Sequence, residues 1–230
     1  MRILLTADLH ANPAALAVLP PADAVLCAGD LVDYGPDPRA VIAWCRAHDA
    51  HVVSGNHDRA LAFDEPDGVG ALMREASAAT RAVHRTLLDD DDLAYLRTLP
   101  RVEVVRLGGT TFALAHAFAH DVRRYAPLAD AAASIWDVAP EADVVVVGHT
   151  HVQGTWVLDR RTAINPGSVG MATRGGAVQY ALWVDGRLEL RTVPYDVKAT
   201  IAALDDLGLA SRPRAALEHA FLRGREVVRR

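Results

Sequence analysis

Short apolar runs alternate with helical spacings through the first half of the chain. Arg2–Asp8 (RILLTAD), Ala24–Asp30 (AVLCAGD) and Ala50–Asn56 (AHVVSGN) are apolar stretches that each stop at a polar residue, the pattern of buried strands. Between them, residues 12–19 and 37–48 carry helical spacing. In the second of these, Pro38 stands just inside the start and Val41, Ile42 and Cys45 share a face. This β-α-β-α-β rhythm predicts a mostly parallel sheet with crossover helices. Residues 69–99 predict a long helical region, because Leu72, Ala76, Ala79, Val83 and Leu87 keep the 3.6-residue period and Leu99-Pro100 ends it. The acidic run at 89–92 suits a helix start, through capping and the macrodipole, better than a cation site.

The second half is richer in strands. Residues 101–117 read as a hairpin about Gly108-Gly109, although a Gly-Gly pair also admits longer loops. A helix near 128–137 leads into Val144–Val147, a β-branched run stopped by Gly148-His149-Thr150-His151. The stretches TWVLDRRTAINPG, VQYALWV and RLELRTVPY read as three further strands, the last two joined across Asp185-Gly186, and helices near 196–207 and 212–223 follow. The expected fold class is α/β, a four-layer α-β-β-α sandwich of two facing mixed sheets. Residues 1–230 are expected to form one domain, with the 69–99 helices as an insert near the site.

Composition narrows the function classes. The chain has 230 residues, 51% of them hydrophobic, enough for a substantial core. A formal net charge of -5 gives no overall attraction to a long duplex nucleic acid. Lys198 is the only lysine, so the cationic side is almost all arginine. Cys27 and Cys45 do not suggest a disulfide framework. No run approaches the roughly 18 apolar residues of a membrane span. Residues needed for chemistry begin at position 8, where a cleaved leader would remove them, so a cytoplasmic location is expected.

The chemistry lies where the strands stop. Asp8 and His10 follow the first strand, Asp30 and Asp33 the second, Asn56, His57 and Asp58 the third, His116 a later one, and His149 and His151 the valine run. Groups beyond the carboxyl ends of strands converge on one crevice in an α/β sheet. The set is oxygen and imidazole with no thiolate, which suits Mn, Fe or Zn rather than a closed structural zinc site. Its size exceeds what one ion needs, and a carboxylate can bridge two ions about 3.5–4 Å apart.

In order, D-x-H at 8–10, GDLVD at 29–33, GNHD at 55–58, the strand-end His116 and GHTH at 148–151 resemble the calcineurin-like metallophosphoesterase superfamily. DYGPDP, NHDRAL, RTLP and INPGSVG extend the likeness over nearly the whole chain, which is similar to small phosphodiesterase-like bacterial and archaeal members. The resemblance implies one divalent metal held by Asp8, His10 and His151, a second by Asn56, His116 and His149, and Asp30 bridging both. Mn is the expected metal, with Fe, Zn or Ni as alternatives. The resemblance also implies that His57 acts on the substrate, that Asp58 orients His57, and that Asp33 lies behind them. Two departures stand out. Ala11 replaces a common glycine, and His116-Ala117-Phe118 stands where His-Gly-Ser is usual, which leaves His120 as a competitor to His116.

The implied activity is hydrolysis of phosphoesters, phosphodiesters before monoesters, by a hydroxide bridging two metals. Asn12, Tyr34 and Arg174 are candidates for contacting a small phosphoester substrate, a nucleotide among the options. A catalytically silent protein-binding scaffold is the alternative from another class, and a phosphomonoesterase the alternative within enzymes. No membrane partner is implied, and the pattern specifies no oligomeric state. His48, His51, His84 and His219 fall outside every motif and are expected to be structural or solvated. Arg212, Arg214, Arg223, Arg225, Arg229 and Arg230, set against Glu218 and Glu226, read as a solvated helix with a frayed end.

Overall fold

The computed structural model describes residues 1–224. Strands β1 (Arg2–Thr6), β2 (Ala24–Cys27) and β3 (His51–Val52) alternate with helices α1 (Pro13–Leu16) and α2 (Pro38–Ala47). Helices α3 (Asn56–Phe63), α4 (Ala71–Leu87) and α5 (Asp90–Thr98) follow. Then come the hairpin β4 (Val102–Leu107) and β5 (Thr110–Ala115), helix α6 (Leu128–Trp136) and strand β6 (Val144–Val146). Two more hairpins, β7 (Gly154–Leu158) with β8 (Arg161–Asn165) and β9 (Ala177–Val184) with β10 (Arg187–Pro194), precede helices α7 (Val197–Asp205) and α8 (Ser211–Arg223).

These strands make two five-stranded mixed sheets, β10-β9-β1-β2-β3 and β4-β5-β6-β8-β7. In the first, β1 and β2 are parallel with Leu5 opposite Leu26, while β9 runs antiparallel to β1 with Leu4 opposite Leu182. In the second, β5, β6 and β8 are parallel, with Phe112 beside Val144 and Val146 beside Ile164.

Side-chain alternation explains the layers, since successive residues of a strand face opposite sides. Ile3 and Leu5 of β1 meet Phe112, Leu114, Val144 and Val146 between the sheets. Leu4, one position along, points the other way into the cluster that holds Val41, Ile42 and Cys45 of α2. On the far side, Ala113, Val145 and Val147 pack against Ile135 and Trp136 of α6. The valine run is therefore buried on both faces, which is why it lacks polar alternation. The result is the four-layer α-β-β-α sandwich expected from the sequence.

Several elements differ from the sequence reading. Helix α1 covers only one turn, and the Pro20-Pro21 pair beyond it can neither donate a backbone hydrogen bond nor favour helix before it. The third strand shrinks to two residues because Asn56 already opens α3, a helix whose polar first turn hid it. TWVLDRRTAINPG is a hairpin rather than one strand, reversing at Asp159 with φ +54°. The expected turn at the glycine pair and the acidic helix start are present. Gly108 and Gly109 form a two-residue turn with φ +56° and +85°, the left-handed geometry that matches strand twist. Asp89 caps α5, accepting from the Asp92 N–H. Arg225, Glu226, Arg229 and Arg230 lie outside the described residues. Among the described residues, no helix is long and apolar enough to cross a membrane.

Candidate metal centre

The strand ends bring the expected residues together. Asp8, His10, Asp30, Asn56, His57, His116 and His151 are buried, and His149 is half-buried. Five of them sit in the left-handed backbone region: Asp8 (φ 54°), His10 (44°), Asp30 (58°), His149 (66°) and His151 (58°). Such conformations cost about 1–3 kcal/mol each in a non-glycine residue and concentrate at functional sites. Close packing makes the turns possible. A Cβ on Gly55 would lie 2.0 Å from Asp30 Oδ1, and one on Gly148 would lie 2.8 Å from the Ala7 Cβ.

Backbone carbonyls orient three of the imidazoles. His10 Nδ1 donates to Val32 O (3.0 Å), His151 Nδ1 to Met171 O (2.7 Å) and His116 Nδ1 to Ala28 O (2.7 Å). A carbonyl only accepts, so each Nδ1 carries hydrogen and each Nε2 presents a lone pair inward. His10 Nε2 and His151 Nε2 stand 3.1 Å apart, with Asp8 Oδ1 3.6 Å from His151 Nε2. Nearby, Asn56 Oδ1 lies 2.9 Å from both His116 Nε2 and His149 Nδ1. The Asn56 amide is held this way round because its Nδ2 donates to Asp67 O at 2.9 Å. Asp30 Oδ2 stands between the groups, 3.2 Å from His116 Nε2 and 3.9 Å from His10 Nε2.

Lone pairs facing one another at such distances repel unless a proton or cation lies among them. Donors bound at about 2.1 Å to an octahedral ion sit about 3.0 Å apart, so this set fits divalent metal. Without an ion, protons take part of that role. Burial opposes charge on His116, but the Asp30 carboxylate outweighs it and raises the pKa to about 9. Burial likewise disfavours the charged form of Asp30, yet His116, His57 and His10 hold its pKa well below the usual carboxylate range.

His57 faces Asp30 across 4.0 Å from its Nε2. Its Nδ1 donates to Asp33 Oδ2 at 2.7 Å. This corrects the expected role of Asp58, whose carboxylate instead accepts the backbone N–H groups of Asp30 (2.9 Å), Leu31 (2.8 Å) and Gly55 (2.9 Å). Burial, with the nearby Asp30 charge, raises the Asp58 pKa to about 6. Burial lowers the proton affinity of His57, but Asp30 and Asp33 more than offset it, and its pKa is raised.

The substrate-contact candidates fare less well. Asn12 spends both ends of its amide on structure: Nδ2 donates to Gly170 O and Tyr195 Oη, and Oδ1 accepts from Ala15 N and Thr200 Oγ1. Tyr34 is buried, with its ring centroid 4.8 Å from those of His10 and His57, and does not border the cleft. Arg174 is exposed and away from the cleft lining. His120 is exposed, whereas His116 is buried at the end of β5 beside Asp30.

The cleft over Asp30, Asn56, His57 and His149 is walled by Asp67–Gly70 on one side and by Arg123 and Tyr125 on another. Neither wall was singled out from the sequence. Behind it, Arg81 donates to both Asp33 and Asp67, and Ser77 donates to Asp67. Buried His84 is structural, accepting from the Asp33 N–H and donating to Gly35 O. Ser77, Thr80 and His84 form a polar stripe at helical spacing on α4, the one signal that could have revealed a buried polar face there.

The profile of the calcineurin-like phosphoesterase superfamily domain matches residues 1–185. An uncharacterized protein of Methanocaldococcus jannaschii is 27% identical over 224 residues, covering 85% of this chain and 88% of that protein. A metallophosphoesterase from Sphaerobacter thermophilus superposes with a TM-score of 0.75 at 28% identity, over 96% of this chain and 100% of that one. A hypothetical protein from Pyrococcus horikoshii OT3 shares the fold, with a TM-score of 0.78 at 17% identity over 98% and 99% of the two chains. The strand-end arrangement, the paired sheets and this match over most of the sequence lead to one conclusion: the chain belongs to the calcineurin-like phosphoesterase superfamily.

Proposed function

We propose that this chain, acting as one domain in the cytoplasm, is a two-metal hydrolase of small phosphoesters that prefers phosphodiesters to monoesters. Asp8, His10 and His151 would hold one divalent ion and Asn56, His116 and His149 the other, with Asp30 shared. The observation that carries this reading is the position of Asp30, whose Oδ2 lies within 4 Å of imidazoles from both groups. Oxygen and nitrogen donors without thiolate favour Mn, with Fe, Zn or Ni as alternatives. Bound there, the ions supply Lewis-acid stabilisation of charge on the phosphoryl oxygens.

The protein's own groups do the rest. Asp33 holds the Nδ1 hydrogen of His57 and, with Asp30, favours the doubly protonated ring against burial, so Nε2 at the cleft can carry a proton and give it to the departing oxygen. Arg123 and Tyr125 at the mouth suit a second phosphate and a flat ring, which supports a nucleotide-like substrate.

The test is hydrolysis of a chromogenic phosphodiester and its matching monoester by metal-free protein and by protein loaded with Mn, Zn, Ni or Mg. Metal-dependent turnover of the diester, abolished in Asp30→Asn, is expected. Faster turnover of the monoester would move the substrate class. Metal-bound protein inert to both substrates would overturn the reading.

A further inference from the structure

We propose that the ion pair between Arg81 and Asp67 is a positioning device that sets two parts of the site at once: the His57 ring, through Asp33, and the Asn56 amide, through the Asp67 carbonyl. The inference rests on the metal-dependent reading above.

The contacts close a ring. His57 Nδ1 donates to Asp33 Oδ2 (2.7 Å). That same oxygen accepts from Arg81 Nε (3.0 Å) and Nη2 (2.5 Å). Arg81 Nη2 donates in turn to Asp67 Oδ2 (2.6 Å), and the Asp67 backbone oxygen accepts from Asn56 Nδ2 (2.9 Å). The path leaves α3 at His57 and returns to it at the adjacent Asn56, passing through α4 and the 64–70 loop. Ser77, one turn before Arg81 on α4, braces the joint by donating to Asp67 Oδ2 at 2.8 Å. The second carboxylate oxygen of Asp67 accepts the Val69 N–H at 3.0 Å, so the loop that walls the cleft is tied to the same carboxylate.

Charge and geometry make Arg81 hard to replace. It is the cation between two carboxylates, its side chain is 15% exposed, and Asp33 is fully buried. Removing it would leave two anions facing each other with the neutral Ser77 hydroxyl in place of a cation between them. Lysine keeps the charge but loses the planar fork that reaches both partners at once. Once Asp67 moves, nothing else in the ring holds the Asn56 amide, and a flip would put Nδ2 between His116 and His149 in place of the accepting oxygen. Once Asp33 moves, His57 can rotate or change tautomer.

The test uses Arg81→Met, Arg81→Lys and Asp67→Asn in the full chain, each checked for folding by thermal melting. Mn binding is measured by titration calorimetry, without substrate. Turnover is measured on aryl phosphodiesters whose leaving groups span a range of pKa. Removal of such an outer partner typically weakens metal binding or activity by about 10–100-fold. We expect one Mn-binding step to weaken by that factor. We also expect kcat to fall more for poor leaving groups than for good ones while KM changes little, because a displaced His57 matters most where the departing oxygen needs a proton. Arg81→Lys should recover only part of the loss.

Folded variants that bind Mn like wild type and lose rate equally across leaving groups would overturn the inference, since a merely structural role gives that result. Should Arg81→Met fail to fold, the other two variants decide the matter by the same criteria. If wild type hydrolyses no diester yet Mn binding still weakens in the variants, the phosphodiesterase reading fails while the positioning of Asn56 stands.

Discussion

His57 and Asp33 face each other at 2.7 Å, both buried, with the ring nitrogen away from Asp33 directed at the cleft. A carboxylate in that place fixes which nitrogen carries hydrogen, and so which one meets a substrate. His57→Ala should lower kcat by about 10²–10⁴-fold, the usual worth of a positioned acid or base, while Mn binding persists. Steady-state kinetics beside calorimetry check both halves of that expectation.

Asp58 should behave differently although it is the next residue. Three backbone N–H groups converge on its carboxylate, and an amide offers one oxygen where two are needed. Asp58→Asn should therefore destabilise the fold by about 1–3 kcal/mol, the cost of buried donors left unsatisfied. Denaturant unfolding measures it. Any loss of rate should track loss of folded protein.

Gly55 should be intolerant of any side chain. The 2.0 Å approach of a Cβ to Asp30 Oδ1, with the Asp30 nitrogen at 2.5 Å, forces Asp30 to move. Gly55→Ala is expected to weaken Mn binding by about 10-fold or more, read by titration. Wild-type affinity in a folded variant would show that Asp30 is not shared between the ions.

The raised pKa of His116 sets a pH dependence for the metal-free protein. Its folded value of about 9 exceeds the ordinary 6.5, so the folded state binds the proton more tightly than the unfolded state does. That stabilisation is fully present below pH 6.5 and is lost as pH rises through about 9. Melting of chelated protein should fall over that window. Metal must displace the same proton, so Mn binding near neutral pH should release protons and tighten as pH rises. Calorimetry in two buffers of different ionisation enthalpy counts them.

The sheets and the convergence of their ends were legible because burial imposes the pattern. Val144–Val147 carries no polar residue since helix and facing sheet cover both sides. Direction was not legible where a side chain had two places to go. Asp58 sits in the first turn of α3, where backbone donors of the loop after β2 compete for its oxygens, and sequence adjacency to His57 says nothing about which wins. Asn12 looked like a site residue because it lies two positions from His10, but capping α1 and tying down Gly170 use its whole amide. Arg81 reaches Asp33 across 48 residues and Asp67 across 14, distances at which no periodicity carries information.

One consequence follows from the way the two sheets share the centre. Asp8, His10 and Asp30 stand at the ends of strands in the first sheet, and His116, His149 and His151 at strand ends in the second. Neither half of the chain owns a usable set. His10 and His151, whose nitrogens nearly touch, are 141 positions apart. An ion bound between them would tie the sheets together like a rivet through two plates, so chelation should loosen the sandwich as a whole and not merely empty a pocket. Such a protein cannot be half competent: the chemistry becomes available only after the last long-range pairing of the fold is in place.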